Sequence, residues 1–206
     1  MGIPVLILGE SGSGKSTSLR TFEPDEVGIF NVASKPLPFR KKLNVFNGAR
    51  YQHILDSLKK GNFKRYVIDD SQYLMSFELF DRVQERGYEK FTEMAVAFRN
   101  LLQFIITNTS HDCIVYLLHH VDQDSNTGKV KAKTVGKMLD DKLTIEGLFS
   151  VVLLARADGQ GGYSFDTQTN GMNPCKSPME MFEQREIDND LKLVDIKIRE
   201  YWGLNA

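Results

Sequence analysis

An apolar run over residues 3–8 breaks at Gly9 into Gly9-Glu10-Ser11-Gly12-Ser13-Gly14-Lys15-Ser16, and this junction constrains the fold more than any other stretch. A short apolar run closed by glycine reads as a strand buried on both faces, which belongs in a parallel sheet covered by helices. The glycines let the backbone curl so that several N–H groups point inward, and GxxxxGKS is the spacing at which they converge on phosphate oxygens. In such a loop Lys15 reaches the β- and γ-phosphates and the Ser16 hydroxyl ligates Mg²⁺. The contact segment runs through Gly9, Glu10, Ser11, Gly12, Ser13, Gly14, Lys15, Ser16 and Thr17. A helix expected over residues 15–22 adds its positive end to the loop, and Pro24 stops it.

The rest of the chain repeats this grammar. Residues 27–32, 66–68, 113–118 and 149–155 read as further buried strands, and residues 51–60 as a helix. Phe91, Met94, Ala95, Phe98, Leu101, Leu102 and Ile105 recur at helical spacing, so a long helix lays one face on the sheet. Strands alternating with helices predict one α/β domain over residues 1–206, a mostly parallel sheet flanked by helices. Residues 163–167 are expected as an antiparallel edge paired with 149–155. The polar stretch 122–136 reads as an exposed hairpin or mobile loop, and 36–38 as a proline loop. Residues 187–202 fit a helix capped by Asp188 or Asn189, although their pattern also permits strands.

Acidic and basic residues gather where such a sheet would hold a ligand. Tyr66-Val67-Ile68-Asp69-Asp70 ends a buried strand with two carboxylates. Asp69 is the metal-side candidate, and Asp70 either polarises an attacking water or caps a helix. His119 and His120 close the strand after the long helix; either senses the γ-phosphate or orients water, and a capping or core role fits equally well. Lys129, Lys131, Lys133, Lys137 and Lys142 against Asp140 and Asp141 leave a local excess of positive charge, and Lys35, Arg40, Lys41 and Lys42 form a second cluster around Phe39. Both suit contact with a polyanion or with a neighbouring subunit's nucleotide, and both suit plain solvation.

Composition narrows the classes. Of 206 residues 41% are apolar and 26% charged, which excludes wholesale disorder, and the formal net charge is -1, so any nucleic acid must be held by local patches. Two cysteines, Cys113 and Cys175, make neither a disulfide scaffold nor a zinc site and read as reduced thiols. With no signal peptide and no membrane-spanning run, the expectation is a soluble cytoplasmic protein.

The loop, Ile68-Asp69-Asp70-Ser71, Gly136-Lys137-Met138-Leu139, Lys176-Ser177-Pro178 and Ile187-Asp188-Asn189-Asp190-Leu191 together resemble phage nucleotide-binding proteins. These are small core-only RecA-like ATPases, some of which serve recombination as single-strand annealing proteins. The resemblance spans nearly the whole chain. It implies a RecA-like core that binds ATP and Mg²⁺, forms rings or filaments in the host cytoplasm, and handles single-stranded DNA, in some cases beside a single-strand-binding protein. Carried over by position, Lys15 and Ser16 make the phosphate and metal contacts and Asp69 is the Walker B acid. Lys15, Asp69, Asp70 and His119 are then the catalytic candidates. Lys129, Lys131, Lys133 and Lys137 are the candidates for DNA or for a neighbour's nucleotide. One departure stands out: RecA-type enzymes often carry a catalytic Glu after the second core strand, whereas Asn31-Val32-Ala33-Ser34-Lys35 offers no acid, leaving Asp70 or Glu10 to substitute or hydrolysis to be weak. A small P-loop phosphotransferase and an ATP-switch assembly factor in phage replication are the competing readings.

Overall fold

The computed structural model describes residues 1–136 and 143–205. Its strands are β1 Ile3–Gly9, β2 Gly28–Asn31, β3 Asn44–Asn47, β4 Arg65–Asp69, β5 Ile114–Gln123, β6 Val130–Ala132, β7 Val151–Ala157, β8 Tyr163–Asp166 and β9 Glu186–Asp188. Its α-helices are α1 Tyr51–Lys60, α2 Gln72–Asp81, α3 Glu89–Asn108 and α4 Leu191–Trp202. The strands lie side by side in the order β3-β2-β4-β5-β1-β7-β8-β9, with β6 attached to β5 alone. All pairings from β3 to β7 are parallel. The β7–β8, β8–β9 and β5–β6 pairings are antiparallel. The α/β class, the mostly parallel sheet and the antiparallel edge at 163–167 are as the sequence predicts.

Alternation along the buried strands feeds two cores. Leu6, Leu8, Ile68 and Leu117 face α1, α2 and α3 through Ile54, Leu74, Met94 and Phe98. Val5, Ile7, Val67 and Tyr116 face the other layer, built from Leu19, Phe22 and the α4 residues Leu191, Val194 and Ile198. Each fully buried aliphatic side chain contributes about 1.5–3 kcal/mol relative to exposure. Because both faces are covered, the carboxyl ends of the parallel strands are where the sheet opens to a ligand.

Several expectations are corrected. The helix expected over 15–22 is a single 3-10 turn, Ser16–Leu19. Ser16, Thr17 and Ser18 are poor helix formers, and the Ser18 hydroxyl donates to the Lys15 carbonyl at 2.6 Å, so hydroxyls compete for the backbone. The region after the proline loop contains the edge strand β3, whose residues are half-buried or exposed and show no apolar run. Helix α2 has no sequence stripe to announce it, because Leu74, Met75, Phe77, Leu79 and Phe80 do not keep to one face. Ile187 belongs to β9, and the cap of α4 is Asp190 rather than Asp188 or Asn189. Its carboxylate accepts from the backbone N–H of Lys192 at 2.9 Å and of Leu193 at 3.2 Å. The stretch 122–136 is a hairpin: β5 runs past both histidines to Gln123, and Asp124 Oδ1 closes the turn by accepting from the N–H groups of Asn126 and Thr127 at 3.0 and 2.8 Å. Lys137, Met138, Leu139, Asp140, Asp141 and Lys142 lie outside the described residues. Among the described residues no helix is long and apolar enough to cross a membrane.

Candidate functional site

The loop after β1 is a tight cup. Gly12 and Gly14 take φ of 81° and 91°, a region closed to most side chains. Open space surrounds the position of a Cβ at Gly12, but at Gly14 it would stand 2.6 Å from Cδ1 of Tyr163. At Gly9 it would meet the Ser13 hydroxyl at 2.3 Å. Replacing Gly14 with alanine is therefore expected to displace Tyr163 or the loop and to destabilise the fold by roughly 1–3 kcal/mol; a thermal melt unchanged from the parent's would show that the loop accepts a side chain there.

Lys15 is buried and folds back over the cup, its ammonium donating to the Gly9 and Glu10 carbonyls at 2.8 Å each. Burial pulls its pKa down to about 8 against the opposing pull of Asp70 and Asp69. The Ser13 hydroxyl is buried with no hydrogen-bond partner. Ser11 and Glu10 are exposed on the rim, and Thr17 is half-buried in the 3-10 turn. The Ser16 hydroxyl donates to Asp69 Oδ1 at 2.9 Å, which ties the loop to the end of β4 across 53 residues of chain. Asp69 is buried, and burial together with the charge of Asp70 raises its carboxyl to about 6, despite the hydrogen bond from Ser16.

Asp70 completes the acidic step. Its Oδ1 contacts His120 Nε2 at 3.0 Å and its Oδ2 the Lys35 ammonium at 2.6 Å. Burial pushes the carboxyl up, but the contact with His120 and the ion pair with Lys35 outweigh it and hold Asp70 below the usual carboxylate range. Asp70 and Ser34 have φ of 58° and 56°, two of the three non-glycine positive values among the described residues. Backbone strain of this kind gathers at functional sites.

The two histidines part company. His119 is fully buried, its ring bonded to the Ser71 hydroxyl at 2.9 Å and to the Lys133 carbonyl at 2.8 Å. Burial lowers its pKa to about 4, so it is neutral and stitches β5 to α2 and the hairpin. His120, opposite Gly9 in the β1–β5 register, is the histidine that reaches Asp70. The catalytic candidacy of His119 therefore passes to its neighbour.

Of the hairpin lysines, Lys129 and Lys133 are exposed and Lys131 is half-buried opposite Asp122, while Lys137 lies outside the described residues. Lys133 lines a cleft of about 480 Å³ with Glu10, Ser11, Gln72, Tyr73 and His120, so it flanks the loop of its own chain. A second cleft, of about 340 Å³, opens on the other side of the loop beside Gly12, Ser13 and Arg156. The 35–42 cluster is dispersed: Lys41 pairs with Glu23 at 2.8 Å and donates to the Phe22 carbonyl, Arg40 and Lys42 are solvated, and Lys35 turns into the site. The inward turn of Lys35 and the approach of Tyr163 were missed in the sequence. Neither carries a local motif, since both arise from contacts between distant segments.

A nucleoside triphosphate fits this arrangement chemically. The cup offers backbone N–H groups, a partnerless hydroxyl and a buried ammonium, and Ser16 with Asp69 supplies the hard oxygens that Mg²⁺ prefers. Among the described residues no three His, Cys, Asp or Glu side chains are grouped to hold a metal unaided. A scan of protein-family models finds no match to this chain, and a search of curated proteins finds no relative.

Proposed function

We propose that this chain is a RecA-like, ATP-hydrolysing protein of phage DNA recombination that oligomerises and acts on single-stranded DNA. The observation that carries the nucleotide part is the 2.9 Å hydrogen bond from Ser16 to Asp69, because it brings the GKS loop and the strand-end acid into one site. Recombination and the phage setting rest on the motif resemblance at Lys176-Ser177-Pro178 and the segment 187–191. Ser16 and Asp69 would hold Mg²⁺, which supplies charge to the phosphates when bound. Lys15 would leave the Gly9 and Glu10 carbonyls for the β- and γ-phosphates. Asp70, steadied by His120, would orient water toward the γ-phosphorus. The water oxygen would bond to that phosphorus as its bond to the bridging oxygen breaks, ADP leaving with the electron pair and the water's proton ending on the released phosphate.

The hairpin beside the loop is the DNA surface in this reading, and head-to-tail association brings Lys129 and Lys131 toward a neighbouring protomer. The decisive experiment is ATP hydrolysis and gel filtration with and without single-stranded DNA. Turnover stimulated by DNA in an ATP-dependent oligomer supports the proposal. Phosphate transfer to a nucleoside acceptor would assign a phosphotransferase instead, and tight binding without turnover an assembly switch. Replacing Lys129, Lys131 and Lys133 with alanine is expected to lower the log–log salt slope of single-strand binding by about 2, at roughly 0.7 per phosphate contact. Fluorescence anisotropy at several salt concentrations reads the slope, and an unchanged slope would remove the hairpin from the DNA surface.

A further inference from the structure

Lys35 stands where the chain leaves β2, and the fold holds its backbone firmly. Its carbonyl accepts from Asn31 Nδ2 at 2.6 Å, and Asn31 donates also to Asn47 Oδ1 at 3.0 Å. Ser34 just before it has a left-handed φ of 56°, and Lys35 itself meets the acid that follows β4, Asp70. Its ammonium reaches Asp70 Oδ2 at 2.6 Å and lies 5.8 Å from the centre of the ring of Tyr73, a residue that lines the 480 Å³ cleft. Partner and cation differ sharply in freedom: the Lys35 side chain is 59% exposed and that of Asp70 only 5%. The head group can swing without disturbing packing.

From this placement we infer that Lys35 is the terminal-phosphate cation of the site, parked on Asp70 in the free protein and transferred to the γ-phosphate when ATP binds. The inference rests on the nucleotide reading given above. A terminal phosphate carries more negative charge than one carboxylate, so the ammonium moves to the stronger acceptor. The same movement uncovers Asp70, which keeps its contact with His120 and is left to orient water. One side chain thereby couples recognition of the third phosphate to release of the water-orienting carboxylate, and ADP, lacking that phosphate, leaves the Lys35–Asp70 pair intact. Burial works against the charge of Lys35, but its ion pair with Asp70 more than compensates and keeps it cationic at neutral pH.

The test compares Lys35→Met, Lys35→Arg and Asp70→Asn with the parent protein, using Mg²⁺–ATP and Mg²⁺–ADP affinities and single-turnover hydrolysis. For Lys35→Met, ADP affinity is expected within twofold of the parent, ATP affinity about tenfold weaker, and turnover about 100-fold slower, a modest share of what a cation on the transferred phosphate supplies. Lys35→Arg should recover part of the ATP preference. Asp70→Asn frees the lysine without altering it, so the preference for ATP should survive while turnover falls. Equal loss of ATP and ADP affinity in Lys35→Met, or no change in either, would overturn the role of Lys35. A parent protein that binds neither nucleotide, and that Lys15→Ala leaves unaltered, would instead overturn the nucleotide reading itself.

Discussion

On the proposed nucleotide function, Lys15→Ala is expected to weaken ATP binding by roughly two to four orders of magnitude. The Lys15 ammonium makes two hydrogen bonds in the free protein, to the Gly9 and Glu10 carbonyls, and a phosphate ligand would receive comparable ones. Charge-assisted hydrogen bonds contribute about 1.5–3 kcal/mol each, so two of them account for about 3–6 kcal/mol. Each 1.4 kcal/mol is about a factor of ten in affinity. Stability should move much less, because removing the lysine also removes the cost of burying a cation whose pKa burial has drawn down to about 8. Isothermal titration with Mg²⁺–ATP, alongside a thermal melt, separates the two effects. Comparable affinity in variant and parent would show that the cup does not hold phosphate.

The largest stability effect should come from the opposite end of the sheet. Asp195 of α4 is completely buried and accepts from Arg199 Nε at 2.7 Å, Tyr116 Oη at 2.8 Å and Arg65 Nε at 2.5 Å. Arg199 in turn donates to the carbonyls of Asp112, Lys64 and Asn205 at 2.9, 3.1 and 2.7 Å, so this knot joins α4 to β4, β5 and the chain end. Asp195→Ala leaves the Arg199 guanidinium buried without its counter-charge, a change that costs about 3–5 kcal/mol. At about 2–4 °C per kcal/mol, the melting temperature should fall by roughly 6–20 °C. Arg65 opens β4 and Asp69 closes it, so the knot lies about 13 Å of strand away from the acids. Nucleotide affinity well below the melting temperature should therefore survive. A melt lowered by less than about 2 °C would show that the knot is not what anchors α4.

What could be read in advance follows from how locally each feature is encoded. The central strands were legible because burial on both faces demands continuous apolar runs, as in Val115, Tyr116, Leu117 and Leu118. The stripe of α3 was legible because one helix face carries it. The loop was legible because its glycines and Lys15-Ser16 form one contiguous motif. Strand β3 was hidden because an edge strand of four residues ending in asparagine needs no apolar pattern. The choice between His119 and His120 depends on strand parity, and hence on a register that only the folded sheet fixes. Lys35 reads as one more charge in a basic cluster; its contact with Asp70, just after the left-handed turn at Ser34, joins distant segments and carries no local signal.

That turn has a counterpart at Asp70, with consequences for which residues the position will tolerate. Successive side chains of an extended strand point to opposite faces, so two neighbouring carboxylates cannot both serve one site while the strand continues. The left-handed conformation at Asp70 breaks the alternation and brings the second acid round beside the first. Aspartate and asparagine accept that conformation more readily than other residues with a side chain, and glycine accepts it freely but brings no charge. Glutamate would keep the charge and lose the conformational tolerance. The position thus has room for a charged residue of one length only, and asparagine is the substitution that silences the charge while leaving the bend in place.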